Sequence, residues 1–436
     1  MSKKYLTFVP TNHTSTGVVS YKSGNPLISF NIGEQPALLS GQSVRLCGEI
    51  DFFTTGTTKS GDAGVLSINE TLGAYSIIDQ LVISSLRTKQ TIEHIRNYNM
   101  FMANYLKTTT SLNDAEGHLN TTACTMPNFL TNRLGVVNMP TPATQNGTHF
   151  CINLPCGFFN GTQGLPLGHG YIIDIHLAPD SAVMFSNTGD PSTILGANYR
   201  LRNVQLVCEV EEIPVDQMSR MMSGTIEYNS ITTYYNSILS TNAIINFNLG
   251  LSKVLGVTCS FKPSAQLNNL AFDSLAPYYP LNNNPIASGS PDLANVEQVI
   301  FTRAGSKFPK SFDLNTNYNA NGLDADKVTV VDPQIVRDSL NSMLPFPKNN
   351  RVQICPHNTN KSTQVSLFEQ PDGGSCYSIG TSYTNIGSDG ADFSTTQWGL
   401  QLNLGLVSVD NPLSVFTYVH AKNTLVFNEQ GLQILS

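Results

Sequence analysis

The chain has 436 residues and a formal net charge of −7, with 40% hydrophobic and only 13% charged residues. This hydrophobic content is sufficient for packed cores and excludes a disordered chain, and the length predicts two or three domains. Because 24 basic residues are outnumbered by 31 acidic ones, we predict no sequence-specific nucleic-acid binding.

Short runs of β-branched and aromatic residues recur between clusters of Gly, Pro, Asn and Ser, which is typical of β-strands. In the first half of the chain, strands are predicted at 6–9, 18–21, 27–32, 44–53, 65–69, 76–84, 149–154, 170–177, 182–185 and 199–213. In the second half they are predicted at 224–228, 231–235, 243–249, 254–261, 296–303, 327–331, 352–355, 364–368, 397–404, 414–420 and 424–427. The chain lacks the βαβα alternation of a parallel sheet, so the predicted class is all-β.

Helical periodicity occurs in two segments, one in each half. In 88–107 apolar residues recur every three or four positions, which predicts an amphipathic helix with Thr88 as its N-cap. The members of this stripe are Ile92, Ile95, Tyr98, Met102 and Tyr105. Glu93 would then lie near the positive end of the helix dipole. The second predicted helix, 332–344, has Asp332 as its cap and ends before Pro345.

A domain boundary is predicted where the long strand 199–213 ends on acidic residues and Pro214. The chain then divides into residues 1–212 and 213–436. Stretches rich in Gly, Asn and Pro, at 108–147, 186–198, 264–295 and 369–392, are too long for hairpin turns. A barrel or sandwich that projects large loops from one end would accommodate them.

The sequence contains no nucleophile elbow, phosphate-binding loop or dinucleotide-binding fingerprint. His169 and His176 flank a predicted strand, but a cupin-like metal site needs an H-x-H pair and none is present. We therefore predict no catalytic, cofactor-binding or metal-binding residues. A glycosidase would need two carboxylates brought together by the fold, and the sequence leaves that possibility open.

Eight cysteines lie at positions 47, 124, 151, 156, 208, 259, 355 and 376, and none forms a C-x-x-C motif. No run of about 20 apolar residues is present, and Met1–Leu6 lacks the apolar core of a signal peptide. We therefore expect a chain that is not secreted and remains in the cytoplasm or nucleus of the cell that makes it. Its thiols are predicted to be reduced and mostly buried.

Several segments in order along the chain resemble one protein family. Residues 90–99 contain the pattern "I-E-x-I-x-x-Y-N", which is similar to a helix that follows an early strand in double jelly-roll major capsid proteins. Those proteins are typical of virophages, Polinton-like viruses and related tailless icosahedral double-stranded DNA viruses. Further segments that resemble this family are 35–48, 176–185, 198–207 and 416–427.

The resemblance implies two tandem antiparallel eight-stranded jelly rolls, each with a flanking helix and long loops. It also implies a non-enzymatic major capsid protein that forms a homotrimeric, pseudo-hexagonal capsomer and tiles an icosahedral shell. The implied partners are further copies of the chain, a penton or vertex protein and minor capsid proteins. The implied location is the virion, assembled in the host cytoplasm or nucleus, and membrane contact is left open.

Two other classes of function remain open at this stage. One is a viral fibre or lectin-like jelly-roll protein that binds a carbohydrate or a receptor, for which the long loops and 16 tyrosines are favourable. The single tryptophan, Trp398, weakens this alternative, because sugar platforms usually use exposed aromatic rings. The other is a β-sandwich hydrolase, which would require a carboxylate pair at one end of a barrel.

Overall fold

A computed structural model describes most of both halves of the chain. The described residues are 3–14, 17–53, 66–69, 72–109, 118–123, 148–161, 164–186, 190–214, 217, 223–275, 296–309, 314–315, 342, 378–384, 389–404, 412–428 and 431–435. The predicted strands 327–331, 352–355 and 364–368 lie outside these residues, as does the predicted helix 332–344 apart from Ser342. Three of the cysteines, Cys124, Cys355 and Cys376, also lie outside them.

Strands dominate the described part of the chain. In the first half they are β1 (Lys3–Phe8), β2 (Leu27–Ile32), β3 (Ala37–Leu39), β4 (Arg45–Phe53), β5 (Leu66–Ile68), β6 (Ile78–Ser85), β7 (Thr91–Arg96), β8 (Thr148–Asn153), β9 (Leu165–Pro166), β10 (Tyr171–Leu177), β11 (Met184–Ser186) and β12 (Asn198–Glu212). In the second half they are β13 (Gly224–Ile238), β14 (Asn242–Asn248), β15 (Val254–Pro263), β16 (Val296–Arg303), β17 (Ser306–Lys307), β18 (Leu314–Asn315), β19 (Ser378–Ser382), β20 (Gln397–Leu404), β21 (Leu413–Asn428) and β22 (Gly431–Leu435). The all-β prediction is confirmed.

Helical segments are few and short. The α-helices are α1 (Tyr98–Thr109), α2 (Asn120–Ala123) and α3 (Asp180–Val183). Single turns of 3₁₀-helix occur at Tyr21–Ser23, Gly41–Ser43, Gly73–Ile77, Pro191–Ile194 and Ser264–Gln266. No helix in the described part of the chain is long and apolar enough to cross a bilayer.

Three large sheets organise the described strands. One sheet, in the order β8-β4-β12-β3-β9 with β1 added on β12, belongs to the first half of the chain. A second sheet, β14-β20-β16-β17 with β18 on β16, belongs to the second half. The third sheet, β19-β15-β21-β13-β7-β6-β10-β2 with β22 on β21, contains strands of both halves and joins them.

The alternation of apolar and polar residues explains which strands have one solvent-facing side. Along the second half of β12, Leu206, Cys208 and Val210 are fully buried and alternate with partly exposed residues. Strand β15 is buried at almost every position along both of its faces. Its two edges pair with β19 and β21. Strands 27–32, 296–303 and 397–404 have the bounds that their sequence pattern predicts.

Buried hydrophobic side chains form two separate clusters. The first contains most of the described buried hydrophobic residues between Val19 and Val210, together with eight described residues of the second half. These eight are Tyr228, Ile231, Leu275, Phe416, Tyr418, Leu425, Phe427 and Leu432. The described members of the second cluster lie between Ile238 and Ala421. The division at residues 212 and 213 stays a prediction.

The predicted helix over 88–107 is wrong in its first half. Residues Thr91–Arg96 form strand β7, which pairs antiparallel with β6, and only Tyr98–Thr109 is helical. Between them Asn97 has a φ of 50°, a left-handed conformation that asparagine tolerates better than most residues. This turn ends the strand and starts the helix, so the stripe of residues three to four apart crosses two elements. Met102 and Tyr105 are buried on α1 as the helical pattern predicts.

Candidate functional site

No cluster of chemically reactive side chains marks a catalytic centre in the described residues. Within that part of the chain, no three His, Cys, Asp or Glu side chains are placed to hold a metal ion. His169 is fully buried and stacks on Phe427, with 5.8 Å between ring centroids. His176 lies in β10, where its backbone pairs with Leu27 of β2 and Gln80 of β6. The two histidines therefore lie in different surroundings.

The feature that organises the molecule is the contact between the two halves, which we call the seam. The seam consists of β7, α1 and the turn 155–159 on one side, and of β13 and β21 on the other. Strand β13 pairs with β21 along all of its residues, from Gly224 to Ile238. Its other edge meets β7 at a single parallel bridge between Thr232 and His94. All other strand pairings in the described part of the chain are antiparallel.

A buried carboxylate lies at the centre of the seam. Glu93 is 4% exposed and accepts three hydrogen bonds from backbone N–H groups. Its Oε1 accepts from Gly157 at 3.1 Å and from Ile231 at 2.8 Å. Its Oε2 accepts from Phe158 at 2.8 Å. One side chain of β7 thus binds the turn 155–159 of the first half and β13 of the second half.

Burial dominates the electrostatics of this carboxylate. Removal from water raises the pKa of Glu93 to about 7, although the three backbone hydrogen bonds act in the opposite direction. Its neighbour on the strand, His94, is half-buried, and its Nε2 lies 2.9 Å from Oε1 of Gln80. Burial lowers the pKa of His94. The sequence prediction placed Glu93 at a helix terminus, and the structure corrects this to a sheet interior.

A glycine permits the close approach of the turn to β13. A Cβ atom added at Gly157 would lie 2.0 Å from the carbonyl oxygen of Asn229 and 2.8 Å from Cα of Ser230. Both contacts are with backbone atoms, which cannot move aside as a flexible side chain can. Any larger residue at position 157 would therefore push the turn away from β13 and lengthen the hydrogen bonds to Glu93.

Two tyrosines of the second half complete the seam with their hydroxyl groups. Tyr228 of β13 donates to the carbonyl oxygen of Ile92 at 3.1 Å, and Tyr418 of β21 donates to that of Asn97 at 3.1 Å. Burial raises the pKa of both hydroxyls, so both remain donors. The carbonyl of Asn97 also accepts the N–H of Phe101, and the ring of Phe101 lies 5.4 Å from that of Tyr418. The turn between β7 and α1 is therefore held by β21.

The outer surface of the molecule carries separate large hydrophobic side chains. Leu195, Ile244 and Tyr5 are the most exposed, at 73%, 66% and 65%. Others include Val9, Val18, Tyr21, Tyr235, Leu239, Phe272 and Leu435. Single exposed hydrophobic residues are normal on monomers, so they do not define a binding site by themselves.

Sequence reasoning missed the role of Glu93. The spacing of Ile92 and Ile95 predicts one face of a helix, with Glu93 near the positive end of the helix dipole. The available signal was Asn97 alone, since asparagine can take the left-handed conformation that ends a strand. The partners of Glu93 lie 64 to 138 residues away, so no local pattern reveals them.

Comparison with known proteins gives no match by sequence: no protein-family model and no curated protein matches the chain. Solved structures do match. A chain of the Sputnik virophage structure is 12% identical with a TM-score of 0.58, and the match covers 100% of this chain and 88% of that one. The Faustovirus major capsid protein is 9% identical with a TM-score of 0.57, covering 98% and 90%. VP54 of the virus PBCV-1, fitted into a reconstruction of Sputnik, is 10% identical with a TM-score of 0.55, covering 100% and 97%.

At these low identities the likeness concerns the fold. It extends over nearly the whole of this chain and most of each compared chain, so it includes both halves and the sheet that joins them. The predicted resemblance is confirmed at this level. The chain has the double jelly-roll fold of viral major capsid proteins.

Proposed function

We propose that this chain is a major capsid protein that self-assembles as a homotrimeric, pseudo-hexagonal capsomer and tiles an icosahedral virion shell. The observation that carries the proposal is the match of nearly the whole chain to solved viral proteins, among them the Faustovirus major capsid protein. The proposed role is structural and non-enzymatic. No observation on this chain favours the alternative of a fibre or lectin-like protein.

The seam supports this proposal because a shell tile must transmit force without bending between its parts. One continuous sheet runs from β2 to β19 through both halves, and Glu93 binds backbone groups on both sides. Each chain then acts as one body that contains two barrels, residues 1–212 and 213–436. Three such chains around an axis would present six barrels, which gives a pseudo-hexagonal outline.

Composition supports extensive contact between copies. Only 13% of the residues are charged, about half the usual share, and interface cores are generally depleted in charged residues. The exposed side chains Leu195, Ile244 and Tyr5 would be covered in such contacts. Interfaces of obligate oligomers commonly bury more than about 2,000 Å². In a closed symmetric shell each contact is repeated many times, and weak individual contacts therefore add up.

The remaining parts of the proposal concern partners and location. The chain would be a virion component assembled in the host cytoplasm or nucleus, without sequence-specific nucleic-acid contacts. A penton or vertex protein and minor capsid proteins would bind it at shell positions that the trimer cannot fill. The net negative charge is consistent with the absence of a dedicated genome-binding surface.

Measurement of mass and shape tests this function. Purified protein at physiological salt should give a light-scattering mass of three times the 47.4 kDa of one chain. Negative-stain electron microscopy of the same sample should show hexagonal particles. Protein that remains a monomer at all concentrations, or that gives elongated fibres, would contradict the proposal. A glycan-binding assay on the same sample tests the lectin-like alternative directly.

A further inference from the structure

The described cysteines fall into two groups. Cys156, Cys208 and Cys259 are fully buried, whereas Cys47 and Cys151 are only half-buried. On β4 the residues Leu46, Gly48 and Ile50 face the core, so Cys47 lies on the outer face of the sheet. On β8, Phe150 and Ile152 face the core, which places Cys151 on the same outer face. Both thiols are therefore within reach of small molecules in solution.

The register of these strands brings the two thiols together. Cys47 and Cys151 are direct partners across the antiparallel pair β4–β8, and their Sγ atoms lie 2.7 Å apart. The N–H of Leu154 donates to the carbonyl of Val44, which makes 44 and 154 a hydrogen-bonded pair. Counting along the ladder, 47 and 151 form a non-hydrogen-bonded pair, in which Cα atoms are about 4.5 Å apart. That separation lies within the range of disulfides, about 4.4–6.8 Å.

Contact between the two thiols affects their ionisation. Cys47 donates a hydrogen bond to Cys151, and Arg45 adds a positive charge nearby. These contacts lower the pKa of Cys151, which favours its thiolate form. The same contact raises the pKa of Cys47, which keeps its proton until it reacts.

We propose that Cys47 and Cys151 form a cross-strand disulfide when the folded protein meets a disulfide oxidant such as oxidised glutathione. The Cys151 thiolate attacks one sulfur of oxidised glutathione, forms a mixed disulfide and releases one glutathione thiolate. The Cys47 sulfur then attacks Sγ of Cys151, and the second glutathione leaves while the Cys47 proton passes to solvent. Two protein thiols are oxidised and one glutathione disulfide is reduced to two glutathione molecules.

The bond would link two strands that are far apart in sequence. Strand β8 is the outermost strand of its sheet in the described residues, and β4 is its neighbour. A cross-link between positions 104 residues apart strongly restricts the unfolded chain. The chain would therefore be reduced in the cytosol, as the sequence predicts, and cross-linked in an oxidising medium. That a released virion meets such a medium rests on the proposed function, whereas formation of the bond does not.

The test uses purified full-length protein with and without oxidised glutathione. After blocking of free thiols and digestion without reductant, mass spectrometry should detect a peptide that joins Cys47 to Cys151. The melting temperature should rise by about 5 °C and return after reduction. Cys47→Ser should lose both effects and retain glutathione on Cys151. The matched control Cys208→Ser, in which a buried thiol is changed, should keep the cross-link.

Two results would overturn the inference. One is recovery of Cys47 and Cys151 as separately blocked thiols after oxidation of folded protein. The other is a cross-link from either residue to a different cysteine while the 47–151 peptide is absent. Neither readout requires trimers or shells, so failure of this inference is distinguishable from failure of the proposed function.

Discussion

The two hydrophobic clusters differ in how much they depend on the other half of the chain. The first cluster includes eight side chains from the second half, among them Tyr228, Tyr418 and Phe427. Among the described residues, the second cluster contains none before Ile238. The two halves of the chain are thus unequal: strands of the second half complete the first cluster, whereas the described members of the second cluster all belong to the second half. The sharing of β13 and β21 is what makes the molecule one body.

The largest expected effect comes from a charge placed in the seam strand. Ile95 of β7 is fully buried and lies opposite Leu81 of β6. Ile95→Asp would bury an unpaired carboxylate, which costs several kcal/mol and exceeds the effect of typical point mutations. We expect insoluble protein, measured as soluble yield, or loss of the trimer that we propose, measured as trimer fraction.

The matched control for this change is Asn97→Asp, two residues along the chain. Aspartate also tolerates the left-handed conformation at position 97, and the backbone carbonyl that accepts from Tyr418 is unchanged. This variant should fold normally. Equal behaviour of the two variants would show that β7 is not packed in the seam.

A pair of aromatic truncations tests the inequality of the two cores. Phe427→Ala removes a ring of the first cluster, which stacks on His169. Trp398→Ala removes a ring of the second cluster, which stacks on Phe247. Each should cost about 3–5 kcal/mol. Hydrogen exchange should quicken in β9 and β10 for Phe427→Ala, but in β14, β16 and β20 for Trp398→Ala.

The comparison would be contradicted if the changes in hydrogen exchange did not follow the division between the two hydrophobic clusters. If Trp398→Ala loosened β9 and β10 as much as Phe427→Ala, the second core would support the first directly. If Phe427→Ala left β9 and β10 unchanged, the first core would not need the second half.

The carboxylate in the seam predicts a pH dependence of stability. The native pKa of Glu93 is about 7, against an ordinary value of 4.5, so the folded state holds the proton more tightly than the unfolded state. Stability from this group is fully present below pH 4.5 and is lost as the pH rises through 7. The loss amounts to about 3 kcal/mol, at 1.36 kcal/mol per pKa unit.

A substitution isolates this dependence from that of other groups. The glutamine of Glu93→Gln cannot ionise. As the pH rises from 4.5 to 8, the wild type should therefore lose about 3 kcal/mol of its free energy of unfolding relative to the variant. Urea unfolding at a series of pH values measures the difference. The exposed Glu34→Gln serves as the control and should run parallel to the wild type. If the free energy of unfolding of Glu93→Gln also ran parallel to that of the wild type over this pH range, the raised pKa of Glu93 would be refuted.

The smallest expected effect lies at the amino-terminal strand. Lys3 forms an ion pair with Glu209 at 3.0 Å, but its side chain is 67% exposed. Exposed ion pairs gain little because water and salt screen them. Lys3→Ala should therefore leave the melting temperature unchanged at physiological salt. A clear decrease would show that the pairing of β1 with β12 depends on this charge.

Local sequence patterns determined much of the strand framework. Strands such as Leu27–Ile32, Val296–Arg303 and Gln397–Leu404 are bounded by turn-forming residues, and their predicted and observed bounds agree. The predicted strands 224–228 and 231–235 are one continuous strand, β13, because the intervening residues pair with β21 without interruption. Polar residues between two apolar runs look like a turn unless the partner strand is known.

The sequence by itself determined the all-β class and the absence of local catalytic motifs, because these follow from composition, periodicity and short patterns. The double jelly roll was an implication of the family resemblance, and the comparison of folds was needed to confirm it. Only the tertiary structure decided the seam. Residues 91–96 form a strand because β6 supplies a partner for their backbone, and helical spacing cannot reveal that partner. Glu93 is buried because three N–H groups from two distant segments converge on it. Cys47 and Cys151 meet only through the register of β4 and β8, and long-range pairing of this kind leaves no local trace in a single sequence.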